Sequence, residues 1–331
     1  MFSNKKYFEP PDPQLFSPSY FGRKELLNCI GDYFASPWQP GVVIVLSEQG
    51  LRAFVNVCRH RQAIILSGSG NISNVRCAMH GWEWDLNGKS KICPGFDCKR
   101  DLLTVELEES GGWIYAPSSG FRNAIPNILE MEMAGYNFFE SNTIPYACSW
   151  IEYVDVYLDV NHVRFIHPGF RSWVDCSKAE VKLGDGWSIH SVPIKNNGRK
   201  SGSSKDHWSH LFEGIPNGEQ RSVHWIHIFP NIFIENYGGY FIITTIVVPN
   251  EEGCVLHDEI WVRPDLSQNP DFVNSILELC REIEGEDAKL VMATRKGREA
   301  LRSIGLDDSG PYQQPLELGL QHFHQWLLNR G

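Results

Sequence analysis

Hydrophobic positions change their rhythm several times along this chain. From 41 to 117 they come in short runs divided by glycines. Residues 42–46 and 51–57 read as a hairpin across 47–50, and 102–107 with 113–116 as a second pair across Gly111-Gly112. Over 150–166 the rhythm turns helical, with Ile151, Val154, Leu158, His162 and Phe165 on one stripe. Longer runs at 178–193, 221–229, 232–236, 239–248 and 254–262 predict strands, separated by signals such as Tyr237-Gly238-Gly239. Two helices, 271–283 and 287–304, are expected to follow. Ahead of 41 lies a Pro-, Ser- and aromatic-rich arm with one short helix over 23–33, and 195–206 reads as a polar loop. The pattern predicts an α+β protein: an arm (1–40), a small all-β domain (41–117), and an antiparallel sheet carrying helices (118–331).

Charge and composition narrow the partners. The chain has 331 residues and a net charge of −10, which argues against a nucleic-acid polyanion. Its longest strongly apolar run, 241–248, stops at Pro249, well short of the roughly 20 residues that span a bilayer. The polar, proline-rich start shows no secretion signal. With nine cysteines, a reducing, cytoplasmic setting is expected, where thiols stay free or bind metal.

Two short pairs carry the sharpest chemical signal: Cys58-Arg59-His60 and Cys77-Ala78-Met79-His80, with sixteen residues between them. Each loop offers one thiolate and one imidazole. That set suits a [2Fe–2S] cluster with two thiolates on one iron and two imidazoles on the other. Zinc accepts the same donors, but its usual spacing keeps cysteines with cysteines and histidines with histidines. With Asn56-Val57 before the first pair, Arg61 after it and Gly81-Trp82 after the second, the constellation resembles the Rieske domain of ring-hydroxylating oxygenase α subunits. Gln62 stands where that family usually has Gly, and Cys77-Ala78-Met79-His80 where it usually has Cys-Pro-Tyr-His. These changes flank the ligands and are expected to tune hydrogen bonding around the cluster.

Downstream, Asp159-Val160-Asn161-His162 is followed by His167-Pro168. An unbroken helix would splay histidines five apart. Pro168 biases the chain before it out of the α region, so the helix should end near Ile166 and let both imidazoles converge on one metal. A facial triad of the kind that holds non-haem Fe(II) then needs a carboxylate. Asp258, Glu259, Glu282, Glu284, Glu286 and Asp287 are the candidates.

The resemblance implies the rest. Glu286-Asp287, with Gly297 ten residues on, is similar to the family's closing helix and points to Asp287 as the third ligand of a mononuclear iron; Arg295 replaces the usual Gln. Asp155 and Val156 stand where the family often has Asn. Asp159 matches the aspartate that links a cluster histidine to an iron histidine, here His80 to His162, often across the interface of a homotrimer. The implied catalytic fold is a helix-grip-like sheet with helices. Electrons would come from NADH or NADPH through a ferredoxin and/or flavin reductase, a separate protein because no G-x-G-x-x-G fingerprint is present. Arg59, Arg61, Arg76, Lys89 and Lys91 could form a docking patch for it. Residues 161–168 look closer to the single-subunit monooxygenases and demethylases of small organic substrates than to arene cis-dihydroxylating dioxygenases. Two other classes stay open: an electron-transfer Rieske protein with a non-catalytic second domain, and a zinc-stabilised interaction protein. Only one of His224 and His227 can face a pocket on a strand, and Trp208, His210 and Trp225 are further lining candidates.

Overall fold

The computed structural model describes residues 2–16, 19–97, 99–117, 120–131, 135–195 and 221–330. They form two compact units: Ser17–Leu129, and Met1–Phe16 together with Glu130–Gly331. The expected boundaries at 40 and 117 fall elsewhere because 1–40 is no free arm. Phe2 and Tyr7 are buried in the core of the larger unit, while Tyr20–Arg23 pairs with Trp113–Tyr115 in the smaller one.

The smaller unit is built of short antiparallel strands. Five form one sheet, in the order Ser69–Asn71, Asp32–Ala35, Val42–Ser47, Gly50–Val55 and Thr104–Val105. The hairpin expected at 42–57 is there, in register Val42↔Val55 to Ser47↔Gly50. The second expected pair is not: Thr104–Val105 joins Gly50–Val55, and Trp113–Tyr115 pairs with Glu108–Ser110 instead. The helix expected over 23–33 is also replaced, by a strand, one 3-10 turn (Lys24–Leu26) and the strand Asp32–Ala35. Asp32 Oδ2 accepts the amides of Asn28 and Cys29 at 2.8 and 2.7 Å, a local turn that competes with helix. A third sheet, Val75–Arg76, Glu83–Trp84 and Ser90–Ile92, completes the unit, and helix Gly120–Glu130, which the hydrophobic rhythm did not mark, ends it.

The larger unit rests on one seven-stranded antiparallel sheet. Its order is Asn137–Tyr146, Gly253–Val262, Phe241–Asn250, Ile232–Tyr237, Ser222–Ile228, Trp187–Pro193 and Glu180–Gly184. Phe233, Leu256 and Val247 from one sheet face pack with Trp150, Val154, Phe323 and Val291 from the helices; Trp225, Tyr237 and Ile260 of that face pack with Phe272, Ile276 and Leu279. The run 178–193 is a hairpin, reversed at Gly186 with φ 78°. The two helices expected over 271–304 are one long helix, Pro270–Ser303, capped by Asn269 Oδ1 on the amides of Asp271 and Phe272. Gly285 continues it without a positive φ. A C-terminal helix, Leu318–Leu328, was not anticipated. No described helix is long and apolar enough to cross a membrane.

The helix expected over 150–166 is two pieces, Trp150–Leu158 and Val163–Ile166. A Ser149–Glu152 capping box opens the first. Asp159 closes it: φ −83°, ψ 82° takes it out of the helix, and its Oδ1 accepts the amides of Asn161 and His162 at 2.9 and 3.2 Å. Behind this turn the helix is fastened to the long helix. Glu152 meets Arg295 and Arg298 at 3.4 Å each, and Asp155 meets Arg298 at 2.6 Å. Asp155 also accepts from His324 at 2.8 Å and from the Tyr7 hydroxyl at 2.5 Å. Burial works against its charge, but His324 and Arg298 outweigh that and hold its carboxyl below the ordinary range. Arg298→Ala leaves two buried carboxylates short of their counter-charge. It should cost about 3 kcal/mol, read as a lower melting temperature, with Arg298→Lys recovering part of it.

Candidate active site

The two cluster loops are built alike. Cys58 O accepts from Gln62 N at 3.1 Å and Cys77 O from Gly81 N at 3.0 Å; Cys58 N donates to Ala63 O and Cys77 N to Trp82 O at 2.8 and 2.9 Å. Each loop therefore needs a left-handed residue four places after its cysteine, and both supply one: Gly81 at φ 71° and Gln62 at φ 61°. Among the described residues Gln62 alone does so without being glycine, so the sequence departure falls on a strained position. The loops bring all four expected residues together. The buried Cys58 and Cys77 thiols are near enough for Cys77 to help raise the Cys58 pKa after burial, and the His60 and His80 rings stand 4.7 Å apart at 74°. His60 stacks on Trp82, and burial, then the His80 and Arg61 charges, keep it below its ordinary pKa. Its Nδ1 is buried without a hydrogen-bond partner, so a neutral imidazole nitrogen is left for a ligand role. The donors fit a cluster. Around them, Lys89 is paired with Asp101 and Lys91 with Glu83, while Arg76 stays exposed.

In the larger unit the break at Asp159 sets the second centre. His162 Nε2 and His167 Nε2 lie 3.1 Å apart, and Asp287 Oδ1 is 3.4 and 3.1 Å from them. These ligand atoms lie within 4.8 Å of one another. Asp287 Oδ1 is buried and makes no directed hydrogen bond, so its lone pairs are left for a ligand role. Burial opposes the Asp287 charge, but the two imidazoles outweigh it and pull its pKa down. Two imidazoles and one carboxylate from the 159–168 turn and the long helix match the donor set of a facial triad. Of the six carboxylates considered, Asp287 is the one that faces the Nε2 atoms of both histidines. Glu286 takes a different part: its Oε2 meets His167 Nδ1 at 2.7 Å and fixes that ring. The His162 Nδ1 partner is the Asp159 carbonyl, with the Asp159 carboxylate 4.0 Å away. Asp155 points into the helix lock, and Val156 lines a cavity, so neither stands in for the family's Asn.

Two cavities adjoin Asp287. The smaller, ≈ 50 Å³, is lined by His162, His167, Trp225 and Glu235 among others. The larger, ≈ 300 Å³, shares Tyr157, Glu235, Tyr237, Ile283 and Asp287 with it and extends to Asp258 and Glu284. Its lining carries Glu140, Glu235, Asp258, Glu284 and Asp287 against a single cation, Arg281. Burial pushes Glu235 up to about 7 and Asp258 up to about 6, so their charged forms are held at a cost. Sequence reasoning did not assign Glu235; a carboxylate between Phe233 and Tyr237 on one strand face was the available sign. Trp225, for which a core role was the stronger expectation, is part of the buried core and also lines the smaller cavity. His227 does not line either cavity: it is buried, stacks on Phe233 at 4.5 Å and meets Pro230 O at 2.8 Å, while His224 meets the Ser191 hydroxyl at 2.9 Å. Trp208, His210 and most of the 195–206 loop lie outside the described residues.

This pairing of a cluster-binding domain with a histidine–carboxylate centre defines an oxygenase class, and comparison with known proteins agrees. Residues 133–330 match the ring hydroxylating alpha subunit (catalytic domain) family and residues 33–106 the Rieske [2Fe-2S] domain. The chain belongs to the ring-hydroxylating oxygenase α-subunit family, on its monooxygenase side, and is a Rieske non-haem iron oxygenase whose cofactors are a [2Fe–2S] cluster and a mononuclear iron. It is 29% identical to putrescine 2-hydroxylase of Ralstonia nicotianae, over 93% of this chain and 87% of that one. It is 27% identical to the carnitine monooxygenase oxygenase subunit of Escherichia coli K12, over 98% and 91%. A solved quaternary ammonium Rieske monooxygenase shares the fold with a TM-score of 0.76 at 19% identity, covering 96% of this chain and 90% of that one.

Because Glu286 orients His167, Glu286→Gln should weaken iron binding in the larger unit by about tenfold or more. Iron retention against a chelator measures this; the cluster's absorbance should stay as in the wild type.

Proposed function

We propose that this chain hydroxylates a small aliphatic amine, bound as its cation in the carboxylate-lined pocket beside His162, His167 and Asp287. One observation carries the reading: besides the metal ligand Asp287, four acidic side chains line the larger cavity against one basic one. Buried carboxylates are costly unless a counter-charge arrives, so the pocket favours a cation over an uncharged arene. The relatives support it, since putrescine, choline and carnitine each carry a cationic nitrogen. The arene cis-dihydroxylation reading meets the same carboxylates as a desolvation penalty. The electron-transfer and zinc readings leave the convergent triad without a task.

In this reading Cys58, His60, Cys77 and His80 hold the cluster, and His162, His167 and Asp287 hold the iron. Iron so held supplies the activation of O2. One oxygen atom enters a substrate C–H bond and the other leaves as water, with two electrons and two protons consumed. A separate ferredoxin or flavin reductase delivers the electrons from NADH or NADPH. Asp159, beside His162, is the link to His80, across subunits if the active form is a homotrimer. Glu286 keeps the His167 ring in place through Nδ1. Glu235 anchors the ammonium near the reacting carbon, and the tyrosines around it exclude water. The setting is cytoplasmic.

The test is turnover of the cluster- and iron-loaded protein with a surrogate reductase on a panel of amines, quaternary ammonium compounds and arenes. A hydroxylated amine formed in step with O2 uptake is expected. Its KM should fall as pH rises from about 5 to about 7.5, because Glu235 and Asp258 ionise at about 7 and about 6. Diol formation from an arene, with amines inert, would overturn the reading.

A further inference from the structure

The pocket's carboxylates are not one cluster. Glu235 lies on Ile232–Tyr237, opposite Ile243 and, one strand further, Ile260. Asp258 lies opposite Thr245, which lies opposite Phe233. The two acids therefore share a sheet face but are offset by two strands and two residues, roughly 12 Å between Cα atoms from ordinary strand spacings. Glu235 lines both cavities and receives the Tyr237 hydroxyl. Asp258 lines only the larger cavity, with Thr245 beside it and the Glu284 carboxylate of the long helix near enough to be felt. Asp258 Oδ1 is buried without a hydrogen-bond partner.

Resting on the amine reading above, we propose that the pocket is a two-point site for a short primary diamine, with Glu235 anchoring the ammonium next to the iron ligands and Asp258 anchoring the distal one. A monoamine would satisfy Glu235 and leave Asp258 buried beside Glu284 with no counter-charge. A quaternary ammonium fits the ring faces of the lining tyrosines, but has no N–H to give to the orphan oxygen. Two primary ammonium groups supply both a charge and a donor at each end. Held in ion pairs, both nitrogens stay protonated and withdraw electrons from the adjacent carbons. The C–H bond that takes up oxygen is then an interior one, and the product retains both nitrogens as an amino alcohol.

The test uses the loaded full-length enzyme with a surrogate reductase on putrescine, butylamine and carnitine, together with anaerobic calorimetry of binding. Putrescine should exceed butylamine in kcat/KM by about tenfold or more, since truncating one side of a buried charge pair costs that much or more. Asp258→Asn, nearly isosteric, should collapse the ratio mainly through the putrescine KM. Glu251→Gln, an exposed acid on the turn of the same hairpin, should leave the ratio as in the wild type. Equal use of putrescine and butylamine, a preference for carnitine, or an unchanged ratio in Asp258→Asn each overturn the two-point site while sparing the amine reading. Inertness of these three and of the other amines of the panel, with an uncharged arene turned over, overturns both. Should Asp258→Asn not fold, the wild-type ratio and the calorimetric affinities still decide.

Discussion

Everything at the second centre depends on how two helices are held to one another. The histidines follow Trp150–Leu158 and the aspartate rides on the long helix, more than a hundred residues later in sequence. Three ion pairs join them, Glu152 with Arg295 and with Arg298 and Asp155 with Arg298, with His324 and Tyr7 closing on Asp155 from two further segments. Such buried pairs contribute little net stability against an apolar core. Their value here is registry: they fix the rotation of the long helix so that Asp287 faces His162 and His167 rather than solvent. Apolar packing alone tolerates slippage that ligand atoms about 3 Å apart would not.

The same helix rotation sets the character of the pocket. With Asp287 turned inward, Ile283, Glu284 and Cys280 come to line the larger cavity, opposite Glu235 and Asp258 on the sheet. Burial first, and neighbouring carboxylates after it, push Glu235 and Asp258 up, so their charged forms favour a cation beside them. Metal ligation and cation recognition thus draw on one arrangement. On the proposed reading, Asp287 of the long helix serves the metal, and Glu235 and Asp258 of the sheet serve the substrate.

Much of this was legible in the sequence. The four cluster residues sit on short local loops, so spacing alone brings them together. The helix end before Pro168 is equally local, whereas the break at Asp159 falls inside the helix expected over 150–166 and was not legible. The third ligand was legible only by resemblance, since nothing in the spacing separates Asp287 from Glu282 or Glu286. Helix rotation made the choice. The break expected between 283 and 287 is absent, because the helix continues through Gly285. The arm 1–40 read as extended because its aromatic residues have partners far away, Phe2 on His324 and Tyr20 on Phe121. The pocket acids were least legible, because Glu235 and Asp258 share a face only once strand register is known.

The central claim is that His162, His167 and Asp287 hold iron together. The most direct test is electron paramagnetic resonance of the dithionite-reduced, iron-loaded protein exposed to nitric oxide. The account predicts a high-spin ferrous–nitrosyl signal beside the reduced cluster's own. In Asp287→Ala the nitrosyl signal should vanish while the cluster signal stays. A nitrosyl signal of undiminished intensity in Asp287→Ala would contradict it.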